Sequence, residues 1–382
     1  MTERDTNTIL VLRDGATHRD LAAATGTPRA RIAAAGQLPG AEPDDQADVL
    51  WFPLLGLAVG RGGRDFTPGG CVSEALPERR YQLAGPPEGP EPTPPFEDGP
   101  DRAWGIAAVG ADQSRYTGRG AKVAVLDTGF DVGHPDFAGR EVIAQSFVPG
   151  EGPEDQHGHG THCSGTACGG KDRRGRRYGV ASDATLFVGK VFPAGGFATD
   201  TTILAGIEWA LTRKCHVVSM SFETPVRPGQ GCRSVYDTVG RRALDLGCVL
   251  VAAAGNQSRR PEFVAPVSSP ADSPSIIAVA ALDPSLHVAP FSNGAVNLDG
   301  GKVDIAAPGV NVYSSLPGGS HGYMTGTSQA TPHVAGLLAL WHEATGATGR
   351  DLWNHLAAAV MARGRRGANR VDDVGFGTAL AP

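Results

Sequence analysis

The stretch Gly326-Thr-Ser328-Gln-Ala-Thr-Pro332-His-Val-Ala-Gly336 places a serine at the start of an apolar helix that continues to Trp341. Proline breaks helix interiors but is tolerated in a first turn, so the pattern predicts a helix that begins at about Ser328. There the hydroxyl lies beside unpaired backbone N–H groups and the positive end of the helix dipole, which suits a nucleophile whose product is an oxyanion. Taken by itself, Ser328 has an alternative role as an N-capping serine.

Two further blocks supply an acid and a base. Val123-Ala-Val-Leu-Asp127-Thr-Gly129 is typical of a buried parallel strand that ends in a carboxylate, at the sheet edge where α/β proteins place their sites. The second block, His157-Gly-His159-Gly-Thr-His162, is rich in imidazole. Acid, histidine and serine together make an activated hydroxyl nucleophile. A zinc site is the alternative for the histidines, but no second cluster with ligand spacing accompanies them.

These blocks resemble the subtilisin-like (subtilase) serine proteases over residues 101–382. The chain order Asp, His, Ser is the order known for subtilisin. Each motif alone is moderately specific, whereas four in this order are strongly specific. The matching segments are Val125-Leu-Asp127-Thr-Gly-Phe with His134-Pro-Asp136, His159-Gly-Thr-His162-Cys-Ser-Gly-Thr, Val251-Ala-Ala-Ala-Gly255-Asn256, and Gly326-Thr-Ser328 through Gly336.

The resemblance implies a role for each matched residue. Ser328 is the nucleophile, and His159 is the general base that later protonates the leaving amine. Asp127 orients His159 and stabilises the imidazolium. Asn256 and the Ser328 backbone N–H donate to the oxyanion. From its local sequence alone, Asn256 could equally be a structural residue in a left-handed turn.

The same resemblance implies that an extended peptide substrate pairs with two edges of a cleft. The residues assigned to substrate binding are Gly195 and Gly196 on one edge, Ser221, Phe222 and Glu223 on the other, and Ala253, Ala254 and Gly255 along the specificity pocket. Glu223 departs from the small residue, usually glycine, that the family has there. It either narrows the pocket or favours a basic substrate residue.

The sequence predicts no cofactor and no metal site. Lys171-Asp-Arg-Arg-Gly-Arg-Arg177 falls where many relatives carry a calcium-binding loop, and its cations oppose an ion that needs oxygen ligands and carboxylate charge. Calcium is therefore not expected, although Asp136 matches its family position. The basic run is typical of a solvated turn. The alternative is that it docks against nearby acids, namely Glu88, Glu91, Glu97 and Asp98.

A sheet must position these side chains. Apolar runs predict strands at 122–126, 185–191, 217–220, 249–253, 276–280 and 303–305, with a helix between 199 and 214. Such alternation predicts an α/β fold with a doubly wound, mostly parallel sheet, subtilisin-like in architecture. Asp127, Ser221 and Asn256 then fall at or just beyond the carboxyl ends of strands, which supports a single site independently of any family.

A proline- and acid-rich linker, residues 85–101, divides the chain. Residues 1–84 predict a small α+β domain, with a strand from Thr8, a helix at 19–24, one or two strands in 49–59 and a short strand at 80–83. Residues 102–382 are expected to form the peptidase domain. In pattern and position the small domain is similar to the inhibitory pro-regions of the family. The alternative is a permanently attached regulatory or partner-binding domain.

Composition argues against several kinds of partner. The 34 Lys and Arg residues against 40 Asp and Glu residues give a net charge of −6, so no global basic field attracts nucleic acid or anionic lipid. No segment approaches the roughly 18 apolar residues of a membrane span. The first residues lack a basic region followed by an apolar core, which predicts a cytoplasmic location, with an unusual export route as the alternative. Six cysteines without a CxxC pair indicate reduced thiols.

The sequence therefore predicts a serine endopeptidase that acts on peptides or proteins through an acyl-enzyme. The N-terminal domain would be its intramolecular inhibitor, which would make the chain a zymogen. The alternative from another functional class is a catalytically silent subtilase fold that serves as a binding module. The complete set of Asp127, His159, Ser328 and Asn256 favours the enzyme.

Overall fold

The computed structural model describes residues 7–35, 47–64, 66–83, 98–297, 301–363 and 369–382. Nearly all of the proline-rich linker lies outside these ranges, and so do the acids Glu88, Glu91 and Glu97. Among the described residues, no helix combines the length and the apolar character needed to cross a bilayer.

The first part of the chain forms a five-stranded sheet with a helix on one face. Its strands are β1 (Thr8–Leu12), β2 (Ile32–Ala34), β3 (Val49–Phe52), β4 (Leu57–Gly60) and β5 (Val72–Pro77), in the spatial order β2-β3-β4-β1-β5. Helix α1 (His18–Thr25) begins with a capping box between Thr17 and Asp20. A sixth strand, β6 (Arg80–Leu83), leaves this sheet and pairs with the rest of the chain. We call residues 7–83 the N-terminal unit.

The remaining residues form the large unit. Its strands are β7 (Lys122–Asp127), β8 (Val142–Ser146), β9 (Thr185–Lys190), β10 (Ala198–Thr199), β11 (Val217–Met220), β12 (Phe222–Glu223), β13 (Val249–Ala253), β14 (Ile277–Leu282), β15 (Ile305–Pro308), β16 (Val312–Leu316) and β17 (Ser320–Met324). Its helices are α2 (Trp104–Ala108), α3 (His159–Cys168), α4 (Asp200–Thr212), α5 (Ser234–Asp245), α6 (Thr327–Thr345), α7 (Gly349–Arg363) and α8 (Val371–Val374).

Seven of these strands form one sheet in the order β15-β14-β13-β11-β7-β9-β8, and every neighbouring pair is parallel. The predicted α/β class with a mostly parallel sheet is confirmed. Strand β8 and the antiparallel hairpin β16–β17 were not predicted. The last strand was predicted at 303–305 but begins at Ile305, because the Asp304 carboxylate takes the Ala278 N–H (3.0 Å) just before the ladder begins.

Alternate residues of the central strands point to opposite faces of the sheet. Val123 and Val125 of β7 join a core with α3, α6 and α7, whereas Ala124 and Leu126 join a core with α4 and α5. The second core continues without a break into one face of the N-terminal sheet, which contributes Ile9, Phe52 and Leu57 among others. The N-terminal unit is therefore docked onto α4 and α5 by buried apolar side chains.

Candidate active site

An acid and a histidine meet at the carboxyl edge of the large sheet. Asp127 is the last residue of β7, and His159 is the first residue of α3. His159 Nδ1 lies 2.8 Å from Asp127 Oδ1, and both residues are buried. Since a carboxylate can only accept, Nδ1 carries the hydrogen of this bond. Neutral His159 then has its basic lone pair on Nε2.

A second acid, Asp155, fixes the start of α3. Its Oδ1 accepts the Gly158 N–H (2.8 Å), and its Oδ2 accepts the Thr161 N–H (2.8 Å). The Thr128 hydroxyl also donates to Asp155 (2.9 Å), so one carboxylate joins the end of β7 to the first turn of α3. Burial opposes this charge, but these donors lower the pKa of Asp155 below its ordinary value. Sequence reasoning missed Asp155; its signal was an acid placed before a glycine-rich helix start.

The acid also sets the protonation of the base. Burial by itself would lower the pKa of His159, but the adjacent Asp127 carboxylate stabilises the imidazolium and raises the pKa well above its ordinary value. His159 Nε2 makes no hydrogen bond with any described residue. The neighbouring His162 differs, since burial lowers its pKa to about 3 while its Nε2 lies 2.9 Å from Val312 O.

Ser328 is the second residue of α6, and its hydroxyl donates to Ser221 O (2.9 Å). The Ser221 hydroxyl donates back to Ser328 O (2.8 Å). Pro332 makes the second bond possible: it lies four residues after Ser328 and has no N–H for that carbonyl. The prediction that Pro332 lies in the first turn was wrong, because α6 begins at Thr327 and Pro332 falls in its second turn.

Asn256 lies just beyond β13, and its side-chain oxygen accepts from Thr327 N (2.9 Å) and Thr327 Oγ1 (2.8 Å). These donors fix the orientation of the amide, because only its oxygen can accept. The amide nitrogen is therefore the donor atom of this side chain. Thr327 was also missed by sequence reasoning, although it directly precedes the predicted nucleophile.

Two short strands form the edges of a cleft beside these residues. Strand β6 of the N-terminal unit lies between them in a three-stranded antiparallel sheet of order β10-β6-β12. Phe222 pairs with Leu83 and Glu223 with Gln82, on the predicted edge. On the opposite edge, Gly195 and Gly196 lie in an exposed turn after Pro193, and the residues that pair with β6 are Ala198 and Thr199.

The predicted specificity-pocket residues Ala253, Ala254 and Gly255 are buried at and after the end of β13. Gly255 has φ +112°, and a Cβ there would lie 2.6 Å from Glu223 Oε2. Glu223 is fully buried, and its Oε1 accepts from Gln257 Nε2 (2.6 Å). Burial raises the pKa of Glu223, and hydrogen bonds from Gln257, Ser268 and the Asn256 N–H offset this only in part.

Two groups of potential metal ligands occur among the described residues: Asp127, His159 and Cys163, and His134, Asp136 and His321. The first contains the acid and the base, and the Cys163 thiol lies 3.8 Å from His159 Nδ1. In the second, Asp136 Oδ2 is taken by His321 Nε2 (2.7 Å) and the Tyr178 hydroxyl (2.8 Å). These neighbours do not fit a calcium ion, which needs oxygen ligands.

The basic run 171–177 lies close to this second group. Of the four acids that could dock it, only Asp98 lies within the described residues, and it accepts Arg176 Nη1 at 3.3 Å. All six cysteines are described, and none of them forms a disulfide within the described residues.

Comparison with known proteins agrees with this geometry. The Subtilase family profile matches residues 118–377. Subtilisin E of Bacillus subtilis (strain 168) is 40% identical over 237 residues, which are 62% of this chain and 58% of the relative. Subtilisin of Bacillus pumilus is 39% identical over 237 residues, 62% of this chain and 81% of the relative. Subtilisin Savinase of Lederbergia lenta is 39% identical over 241 residues, 62% of this chain and 82% of the relative.

The matched region thus spans less than two thirds of subtilisin E and most of the other two proteins. The family match at residues 118–377 contains Asp127 in β7, His159 in α3, Asn256 just beyond β13 and Ser328 at the start of α6. The chain belongs to the subtilase family.

Proposed function

We propose that this protein is a serine endopeptidase that cleaves peptide bonds through an acyl-enzyme. The observation that carries the proposal is the buried 2.8 Å hydrogen bond between His159 Nδ1 and Asp127, at the sheet edge where α6 presents Ser328. This bond leaves His159 Nε2 as the basic atom, as a general base requires. Membership of a family whose relatives are named subtilisins supports the same activity.

In the proposed reaction, the Ser328 hydroxyl leaves Ser221 O, turns to His159 Nε2 and attacks the substrate carbonyl carbon. His159 takes the serine proton, and Asp127 stabilises the resulting imidazolium. The oxyanion accepts from the Asn256 amide and the Ser328 backbone N–H at the helix start. His159 then protonates the leaving amine, and water hydrolyses the ester by the same route in reverse.

We further propose that the N-terminal unit inhibits this activity within the same chain. Strand β6 occupies the position between β10 and β12 where an extended substrate would pair. Tyr81 of β6 is fully buried, with its ring edge-on to Phe222 (6.0 Å) and Tyr236 (5.7 Å). A substrate could bind there only after this strand has left.

Polar contacts support the same proposal. Glu208 of α4 accepts the Leu54 N–H (3.1 Å) and the Leu55 N–H (3.2 Å) from the turn after β3. Asp200, at the start of α4, accepts the Arg79 N–H (2.8 Å) just before β6. Both carboxylates belong to the large unit and accept hydrogen bonds from the N-terminal unit. The two units are therefore joined by directional hydrogen bonds as well as by apolar packing.

Fluorophosphonate labelling of the full chain tests the activity. We expect the wild-type chain and the exposed control Ser320→Ala to be labelled, and Ser328→Ala to remain unlabelled. Absence of label on the wild type after prolonged incubation would contradict the endopeptidase and favour the silent binding module.

Mass spectrometry of the same samples tests the N-terminal unit. Release of a fragment containing residues 1–83 from the wild type, but not from Ser328→Ala, would support self-processing of an inhibitory segment. An intact and fully active wild-type chain would show instead that the N-terminal unit is a retained domain without inhibitory effect.

A further inference from the structure

A fully buried carboxylate, Glu223, contacts the backbone of Asn256, the residue whose side chain is proposed to bind the oxyanion. Its Oε1 is held by Gln257, the residue after Asn256, and its Oε2 lies against the bare Cα of Gly255. Oε2 is buried and has no hydrogen-bond partner of good geometry among the described residues. The hydrogen bond to Oε1 therefore holds the carboxylate in place, and Oε2 can accept a further hydrogen bond.

Unlike two other buried acids of this chain, Glu223 has no cation partner among the described residues. Asp200 pairs with Arg233 Nη1 at 2.8 Å, and Asp373 pairs with Arg260 Nη1 at 2.7 Å. Within the described ranges, the groups that stabilise the Glu223 carboxylate are neutral donors only. Burying an acid without a counter-charge is costly, so such acids concentrate at sites where a ligand completes them.

The register of the cleft places this acid next to the bond that would be cut. Leu83 lies opposite Phe222, so the strand direction leads from Leu83 toward Ser221, whose carbonyl accepts the Ser328 hydroxyl. In a substrate bound in the same register, the residue whose carbonyl is attacked lies opposite Ser221. Its side chain would point toward the region between β12 and the segment Ala253–Gln257. Glu223 borders this region, because it belongs to β12 and its carboxylate lies against Gly255.

We propose that Glu223 is a specificity-determining residue that selects lysine or arginine as the substrate residue that supplies the attacked carbonyl. This inference rests on the proposed endopeptidase function. Both side chains have a long apolar stem that suits the walls formed by Ala253 and Ala254, and both end in N–H donors that match Oε2. A charge-assisted hydrogen bond to a buried carboxylate is stronger than a neutral one, which gives the selection its force.

The test uses the full chain, incubated until its mass is constant, and three peptidyl diphenyl phosphonates that differ only in the residue next to phosphorus. These probes carry lysine, leucine or alanine at that position. Their rates of attachment to Ser328 are compared as ratios within each variant. A small fluorophosphonate without a side chain measures the reactivity of Ser328 separately. The variants are Glu223→Gln, which keeps the shape of the side chain, Glu223→Gly, and the exposed control Glu262→Gln.

We expect the wild type and Glu262→Gln to react fastest with the lysine probe. In Glu223→Gln the lysine-to-leucine ratio should fall by about 10- to 100-fold, because the charged partner of the ammonium is lost. If the wild type prefers the alanine probe and Glu223→Gly gains the leucine probe, the acid only narrows the pocket and the inference is overturned. If the small fluorophosphonate also fails to react, the proposed function fails first, and the two failures are thereby distinguished.

Discussion

The two sides of the cleft are stabilised in different ways. Around the residues proposed to be catalytic, every polar contact described above comes from within the large unit: Asp127 to His159, Asp155 to Thr161, and Asn256 to Thr327. Along the proposed substrate edge, β10 and β12 pair with β6 of the N-terminal unit, and in α4 both Asp200 and Glu208 also take partners from that unit. Removing residues 7–83 would leave the first set of contacts intact and strip the second. The side chains proposed for catalysis are therefore positioned by the large unit itself, whereas the edge strands that would hold a substrate are paired with β6 of the N-terminal unit.

Asp127→Asn tests the contacts within the large unit and has the largest expected effect. The amide can hold His159 in the wrong tautomer, so we expect kcat to fall by about 10⁴-fold while the fold is retained. Steady-state hydrolysis of a peptide substrate measures the loss, and Asp183→Asn on the surface is the matched control. A loss of less than tenfold would mean that Asp127 does not orient the base.

Asn256→Ala removes the proposed side-chain donor to the oxyanion. We expect kcat to fall by roughly 10²–10³-fold with little change in KM, because the donor acts on charge that develops in the transition state. The exposed Asn354→Ala in α7 is the control. A change confined to KM would argue that Asn256 only shapes the binding edge.

Tyr81→Ala tests the contacts between β6 of the N-terminal unit and the edge strands β10 and β12. Loss of a fully buried aromatic side chain should favour opening of the β10-β6-β12 sheet by about 100-fold. Hydrogen exchange of the β10 and β12 amides, measured in a Ser328→Ala background that cannot process itself, reports this opening. Tyr323→Ala is the control, since Tyr323 is 50% exposed. Unchanged exchange in Tyr81→Ala would show that the edge does not depend on this occupant.

The smallest expected effect is a dependence of docking on pH. Burial raises the pKa of Glu208 to about 7 in the docked state, partly offset by the Leu54 and Leu55 N–H groups. After undocking, the pKa should return toward 4.5, so the docked state binds a proton more tightly and docking weakens as pH rises toward 7.

Between pH 6 and pH 8 we expect about a tenfold increase in the opening equilibrium, by the same exchange measurement. Glu208→Gln should abolish most of this change. An equal pH dependence in both chains would assign it to another group.

The sequence was sufficient to predict six of the seven strands of the large sheet, with the bounds of β11 and β13 as observed, because apolar runs and the residues that follow them are local features. Asp127, Ser221 and Asn256 follow from that pattern, and the family motifs added His159 and Ser328. Partners chosen by long-range packing could not be predicted in this way. The contact of Asp155 with Thr128 joins residues 27 positions apart and that of Thr327 with Asn256 joins residues 71 positions apart, so local sequence could not identify these pairs.

The same limit applies to the cleft edges. A strand at 80–83 was predicted, but its partners lie more than one hundred residues away at Thr199 and Phe222. The register between them decides which residues pair with β6, so Ala198 and Thr199 could not be identified as its partners from local sequence. Two glycines after a proline favour a turn. The residues that pair with β6 come directly after this turn, and the second of them, Thr199, is also the N-cap of α4.

The proline in α6 has a mechanical consequence. Because Pro332 donates no N–H, the carbonyl of Ser328 is tied to Ser221, and the hydroxyl of Ser328 is tied to the same residue. These two bonds couple α6 to the end of β11, so the two elements should move together. The distance between the Ser328 hydroxyl oxygen and a peptide paired beside Ser221 should then change little. Alanine at position 332 would offer its N–H to the Ser328 carbonyl in place of the Ser221 hydroxyl. With that bond to Ser221 lost, the position of Ser328 relative to the end of β11 should vary more.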